Sequence, residues 1–342
     1  MKPNIFDLAT KELTQDVFIT WLLQWSDDEV YDKHNKALSQ CGKDFVMALM
    51  RTVIKDFDQP IASVRAGRQW ANIDVWAVVN DEYLIIIEDK TFTKQHSDQL
   101  SRYKETAEEW CSHHLSYKTP ICIYLKTGNE SQKSLGFVKK EGFSVFNRPQ
   151  FLEILKNHHD VQNDIFNDFK DRLTRLEHLN HQWEGKKIKE WNGNDWQGFF
   201  LYLEKQHNII DWSFVNNRSG GFWSAILKWI SWEGYPFFLQ SEQNKLCFKI
   251  STDPQEVNVP EHVNKSAIRN ELSYLILIKA QDNDFLRIKK PDRFGHGKYM
   301  TVAVVDGDDW LGSTEEKVNK EEVKNRISAY MALMNDIPGE KE

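Results

Sequence analysis

Cysteine is scarce in this 342-residue chain: Cys41, Cys111, Cys122 and Cys247 are scattered, with no CxxC pair and no histidine partner at zinc-ligand spacing. A reduced compartment fits that usage. His113 and His114 adjoin Cys111, but adjacent residues on a helix point apart, so a polar helix end accounts for them better than a metal site. Long apolar runs are also missing. The longest, residues 83–87 and 121–125, fall far short of the roughly 20 residues a membrane span needs, so no membrane association is expected. The opening residues, MKPNIFDLATKEL, carry acids where a secretory signal would place a basic patch and an apolar stretch, which leads us to expect a cytoplasmic protein. Nor is there an excess of positive charge. A formal net charge of -7 argues against a protein that coats nucleic acid by bulk electrostatics, because phosphate neutralisation requires clustered Lys and Arg. It leaves room for an active site made of carboxylates beside a local basic groove. Internal repeats and low-complexity tracts are absent from the sequence.

Large apolar anchors are plentiful, with 13 Trp and 20 Phe. Single cores stop growing at roughly 250 to 300 residues, so two domains are expected. The polar run Glu184-Gly185-Lys186-Lys187 marks a boundary, giving 1–184 and 185–342. In the first part, Leu13, Val17, Trp21, Leu22 and Trp25 recur at helical spacing, with Thr14 available as a cap. Further helical patterns cover 45–54, 97–110 (capped by Ser97 or Asp98), 150–156 and 165–183. Strand-like runs cover 73–79, 83–88, 121–126 and 143–146, so the first part reads as α/β. The second part reads as α+β, with strands at 222–232, 236–240, 246–250 and 299–305 and helices near 196–206, 267–280 and 315–334. The aromatic stretch from Phe222 and Trp223 to Trp232 reads as sheet core rather than as a base-stacking surface.

Residues 73–79 and 83–88 form a hairpin around Asn80-Asp81-Glu82. With a three-residue loop, Val79 faces Tyr83 and Asp74 faces Glu88. Side chains alternate along a strand, so Glu88 and Lys90 share that face while Asp89 points away. A two-residue loop would send Asp74 to the opposite face. The flanking Ile73, Val75 and Trp76 imply a buried Asp74, which then needs a partner, and Ile85-Ile86-Ile87 before Glu88 is typical of a central strand. Two facing carboxylates repel unless a cation joins them, and Mg²⁺, or Mn²⁺, would serve. A hard cation polarises a phosphoryl oxygen and lowers the pKa of water, while a neighbouring Lys orients that water. These parts suit phosphodiester hydrolysis.

NIDVW, then IIIEDK, then DQLSRY resembles the PD-(D/E)XK nuclease superfamily, with Ile73 where the Pro of the name would stand. Gln99 and Tyr103, four apart on one helical face, resemble the QxxxY element of its RecB-like branch. The resemblance, over residues 1–130 or so, implies a restriction-endonuclease-like core, a mixed central sheet flanked by helices, and places Asp74, Glu88 and Lys90 in the catalytic role. It implies a metal held by Asp74 and Glu88, by the backbone carbonyl of Asp89, and by an acid of the first helix, for which Glu12 is the candidate. Gln15 is a second candidate there, while Asp7 and Asp16 are equally explained by helix-start preference. Gln99 and Tyr103 would support the site. Arg65, Arg68, Lys94, Arg102 and Lys104, with Lys139 and Lys140, are candidate contacts to a phosphate backbone.

The function this implies is a metal-dependent nuclease acting on DNA, in a stand-alone bacterial or phage setting of defence, repair or mobile-element biology. Two alternatives stay open: RNA as the substrate, or a non-catalytic nucleic-acid or protein binding module that keeps the fold. The C-terminal part is a candidate for target recognition, gating or dimerisation into a homo-oligomer.

Overall fold

The computed structural model describes residues 3–9, 11–30, 35–95, 98–207, 209–218, 220–257, 264–281 and 286–337. The chain divides into two units, Met1–His178 and Leu179–Glu342. In the first, the short helix α1 (Ile5–Leu8) is capped by Asn4, whose side chain accepts from the Phe6 backbone N–H. Helix α2 (Glu12–Gln24) starts two residues before Thr14, with Lys11 at its N-cap, so the cap expected of Thr14 is not used. Helix α3 (Lys36–Arg51) starts well before residue 45, because Leu38 and Cys41 extend its buried stripe into a segment whose polar residues hide it.

Strands β1 (Val64–Trp70), β2 (Ile73–Val79) and β3 (Tyr83–Lys90) form an antiparallel meander. Helix α4 (Gln99–His114) then leads to β4 (Ile121–Lys126), and α5 (Gln132–Lys140) to β5 (Ser144–Asn147). β4 pairs parallel to β3 and β5 parallel to β4, so the sheet is mixed, in the order β1-β2-β3-β4-β5. Helices α6 (Arg148–Asn157) and α7 (Asp164–Leu179) complete the unit. Asp98 occupies the N-cap of α4 without a side-chain cap bond, and Ser97 lies outside the described residues.

Every residue of β3 is buried, as a central strand covered on both faces requires. Ile85 and Ile87 enter the core built with α2, α3, α6 and α7, whereas Leu84 and Ile86 enter the one built with α4 and α5. That alternation assigns Glu88 and Lys90 to the α4 side and Asp89 to the α2 side. Beyond β3 the backbone passes close to the end of β4: Thr127 N–H donates to Lys90 O (3.1 Å), and a Cβ on Gly128 would sit 1.7 Å from the Thr91 carbonyl oxygen. Gly128→Ala should therefore force the two strand exits apart, costing about 3 kcal/mol or more in a denaturant titration. An unchanged midpoint would contradict the close approach.

The second unit opens with 3₁₀ turns at Gln182–Gly185 and Ile188–Glu190, then α8 (Gly193–His207). Trp183 is buried in this unit's core, so the chain crosses between units before the polar run at 184–187. Strands β6 (Asp211–Val215), β7 (Phe222–Trp232), β8 (Tyr235–Glu242) and β9 (Lys245–Ser251) precede α9 (Lys265–Gln281), β10 (Tyr299–Val305), the single-turn α10 (Gly307–Trp310) and α11 (Lys320–Asn335). The sheet is antiparallel throughout, ordered β10-β9-β8-β7-β6, and Trp183, Phe199, Phe248, Trp310 and Tyr330 fill its core. Ala225, Leu227 and Trp232 of β7 belong to that core and Trp223 packs partly against it, so the sheet reading of this aromatic run holds only in part: Trp229 is exposed and stacks on Phe238. Among the described residues no helix is long and apolar enough to cross a membrane.

Candidate active site

The β2–β3 turn decides which side chains meet. Asn80 and Asp81 both adopt φ of +53°, a left-handed conformation that Asn and Asp tolerate better than other non-glycine residues. Asn80 also ties the turn to the approach of β1, accepting from Ala62 and Ser63 N–H and donating to Pro60 O. The connection is three residues long, with Val79 opposite Tyr83 and the ladder running to Val75 opposite Ile87. One further step in that register sets Asp74 against Glu88.

The side chains follow. Lys90 Nζ pairs with Glu88 Oε1 and lies 3.7 Å from Asp74 Oδ2. The Asp89 backbone N–H donates to Asp74 Oδ2 (3.1 Å), fixing the aspartate against the neighbouring strand. Glu88 has 0% side-chain exposure and Asp74 19%, so the cluster opens to solvent on the Asp74 side. No hydrogen-bond donor among the described residues reaches Glu88 Oε2. Burial, then the Asp74 charge, push the Glu88 carboxyl up to about 8 against the opposing pull of Lys90. Lys90 is raised in turn: burial, the largest single effect, works against its charge, but the charge and hydrogen bond of Glu88 with the charges of Asp74 and Glu12 together outweigh it.

Three groups surround this cluster. On α4, Gln99 Nε2 donates to Tyr103 Oη (2.9 Å), and burial first, with a smaller contribution from the Glu88 and Asp74 charges, raises the phenol. On α2, Glu12 Oε1 accepts from Thr91 N–H (2.9 Å) and from Thr93 Oγ1 (2.7 Å). Burial would raise Glu12, but those bonds and the Lys90 charge bring it below the usual glutamate range. On β4, beside Lys90 in the parallel ladder, buried Lys126 pairs with Glu130 (3.0 Å) and donates to Thr93 O (2.5 Å). Glu130 also accepts from Tyr124 Oη and Ser134 Oγ, and burial lowers the Lys126 ammonium. Sequence reasoning passed over Lys126 and Glu130. The signal was there in part, since a lysine ending the apolar run ICIYLK is unusual, but its meaning depends on the parallel pairing of β4 with β3.

The α2 side of β3 carries a second polar cluster, electrostatically linked to the first through Asp74. Gln15 Nε2 donates to Asp89 Oδ1 (2.5 Å), and Gln15 Oε1 accepts from Thr127 Oγ1 (2.9 Å). Asp16 lies beside Asp89; burial first raises both, followed by the Asp74 charge for Asp16, pushed up to about 7, and by the Asp16 charge for Asp89. Gln15 and Asp16 therefore serve the Asp89 side of the strand, and Glu12 the loop that leaves it. Asp7 pairs with Arg175.

The candidate phosphate contacts are dispersed. Arg65 faces Val78 across β1 and β2 and pairs with Asp81 at the turn, four positions or roughly 13 Å along the strand from Asp74. Arg68 faces Val75, near the cluster, donates to Leu13 O, and its charge reaches Asp16. Lys94, on the loop after β3, is felt by Lys126. Arg102 and Lys104 pair along α4 with Asp98 and Glu108. Lys139 and Lys140 end α5.

Among the described residues no three His, Cys, Asp or Glu side chains converge as a metal site. Mg²⁺ does not require three: it commonly takes one or two carboxylates and keeps water and substrate oxygens for the rest. Asp74 and Glu88 supply two such carboxylates, one with a buried oxygen that no donor satisfies, so the donor set fits a hard divalent cation.

No curated protein and no solved structure matched the chain. A family model did, over residues 3–209, the span that contains the hairpin, α4 and all of the first unit's sheet. With more than half its length matched, and with the acid, acid and lysine in register on neighbouring strands, this chain belongs to the PD-(D/E)XK nuclease superfamily.

Proposed function

We propose that this protein hydrolyses DNA phosphodiester bonds in a reaction that depends on Mg²⁺ or Mn²⁺ and is centred on Asp74, Glu88 and Lys90. The observation that carries the reading is the Lys90 ammonium set against two carboxylates from adjacent strands, in a chain of this family. In this reading Asp74 and Glu88 hold the cation, with the Asp89 carbonyl, and Glu12 faces the same cluster from α2. The bound cation neutralises the acids and supplies Lewis-acid polarisation of the phosphate.

Lys90 donates to the attacking water and orients it, from a position that its ion pair with Glu88 already sets. Thr91 and Thr93 hold Glu12 toward the Lys90 side, and Gln99 with Tyr103 closes the α4 side of the site. The reading is tested by incubating the full chain with plasmid, and with matched single-stranded DNA and RNA, in Mn²⁺ and in chelator. Cleavage of DNA in Mn²⁺ alone is expected. Cleavage of RNA alone would move the substrate class, and binding without cleavage of any of them would favour a non-catalytic module.

A further inference from the structure

Phe92 stands two residues beyond Lys90, so its Cα lies within about 7 Å of the lysine's. It is 70% exposed, although a phenyl ring gains by leaving water. Single exposed apolar side chains are ordinary on protein surfaces, and exposure alone would mean little here.

What distinguishes Phe92 is how its neighbours are held. Thr91 N–H and Thr93 Oγ1 both donate to Glu12 Oε1, the Thr93 N–H reaches the same oxygen at 3.4 Å, and Thr93 O accepts from Lys126 Nζ. Lys126 is itself fixed by its buried pair with Glu130. The residues on either side of the ring are thus anchored by charged groups from α2 and β4, while the ring has no aromatic partner among the described contacts. An exposed aromatic ring whose flanking residues are both tied down, beside a phosphodiester site, suits a nucleobase, because every base offers a π face and a tethered backbone loses little freedom on stacking. Paired bases inside a duplex are already stacked, so the ligand is an unpaired base, in a single strand or at a strand end.

We infer that Phe92 is a base-stacking subsite for the unpaired nucleotide beside the scissile phosphate. The inference rests on the nuclease reading and refines its substrate class. It is tested with the full chain in chelator, where no hydrolysis occurs, by titrating single-stranded DNA that carries one 2-aminopurine, whose fluorescence is quenched by stacking. Wild type should bind and quench. Phe92→Ala should weaken binding about 5- to 150-fold, the loss of one stacked base, and abolish the quench at matched saturation, whereas Phe92→Tyr should retain both.

Thermal melts serve as the control for folding, and an exposed position should shift them little. Equal affinity and quenching in wild type and Phe92→Ala would overturn the subsite, leaving the ring as a protein contact, without touching the role of Lys90. Weakened binding with the quench intact would overturn it as well. Failure of the wild type to bind any strand, both in chelator and in Ca²⁺, together with no cleavage in Mn²⁺, would instead remove the nuclease reading itself.

Discussion

Lys90→Ala should lower the rate of DNA cleavage about 10²- to 10⁴-fold, the range spanned by losing a general acid–base or charge-stabilising group, while the protein stays folded. The fold should survive because the residue left behind already favours its neutral form: the Glu88 carboxyl is pushed up to about 8 by burial and by Asp74, so without its ammonium partner it takes a proton instead of standing as a bare buried charge. Lys90→Arg should not restore the rate. Guanidinium is planar, wider and always charged, and here it would have to fit between Glu88 and Asp74 where a compact ammonium sits. Single-turnover cleavage at saturating Mn²⁺ measures the effect; equal rates for wild type and Lys90→Ala would remove the lysine from the mechanism.

The second large effect is on metal affinity as a function of pH. Below about 8 the metal-free Glu88 holds a proton, and a cation entering the site must displace it. Affinity for Mn²⁺ should rise about tenfold per pH unit well below pH 8 and level off near it, so that calorimetry at pH 6 and pH 8 differs by roughly fiftyfold, with proton uptake by the buffer. The sign for stability is the reverse of the common carboxylate case. An acid raised in the folded state loses its proton first in the unfolded chain, so between pH 4.5 and about 8 the metal-free protein becomes less stable as pH rises. Asp16 and Asp89, also raised, act in the same direction. Lys90 stays protonated throughout that window and adds no slope. Glu88→Gln should make the decline in melting temperature shallower, and an unaltered slope would contradict the shift.

The hairpin and its acids were legible because they depend on short-range rules. Asn80 and Asp81 accept left-handed backbone, so the loop length and the register followed from the turn, and the two-residue period then separated Asp89 from Glu88 and Lys90. Gln99 and Tyr103 were legible in the same way, from spacing on one helix. Other parts depend on partners far away in the chain. β1 escaped because only Val64 of VRAGRQW is fully buried, and its pairing with β2 gives no local apolar alternation. α5 and β6 escaped for similar reasons, each being short and carrying few buried residues. The roles along α2 were ambiguous, since helical spacing alone does not say which of Glu12, Gln15 and Asp16 meets which face of β3. Packing settles their contacts: Glu12 holds the loop after Lys90, and Gln15 and Asp16 meet Asp89.

Much of the cost of this arrangement lies in burying acids that have too few donors. Glu88 Oε2, Asp16 Oδ1 and Asp89 Oδ2 all lack a hydrogen-bond partner among the described residues, and native proteins leave few such groups. At Glu88 a divalent cation would relieve the strain, which links the stability of the site to its chemistry. The most direct test is calorimetric titration of Mn²⁺ into metal-free protein at pH 8, comparing wild type with Asp74→Ala. Wild type should bind, and the variant should bind at least 10- to 100-fold more weakly, since even residues that merely support a ligand have effects of that size. Equal affinity in the two proteins would contradict the assignment of Asp74 and Glu88 to a shared cation.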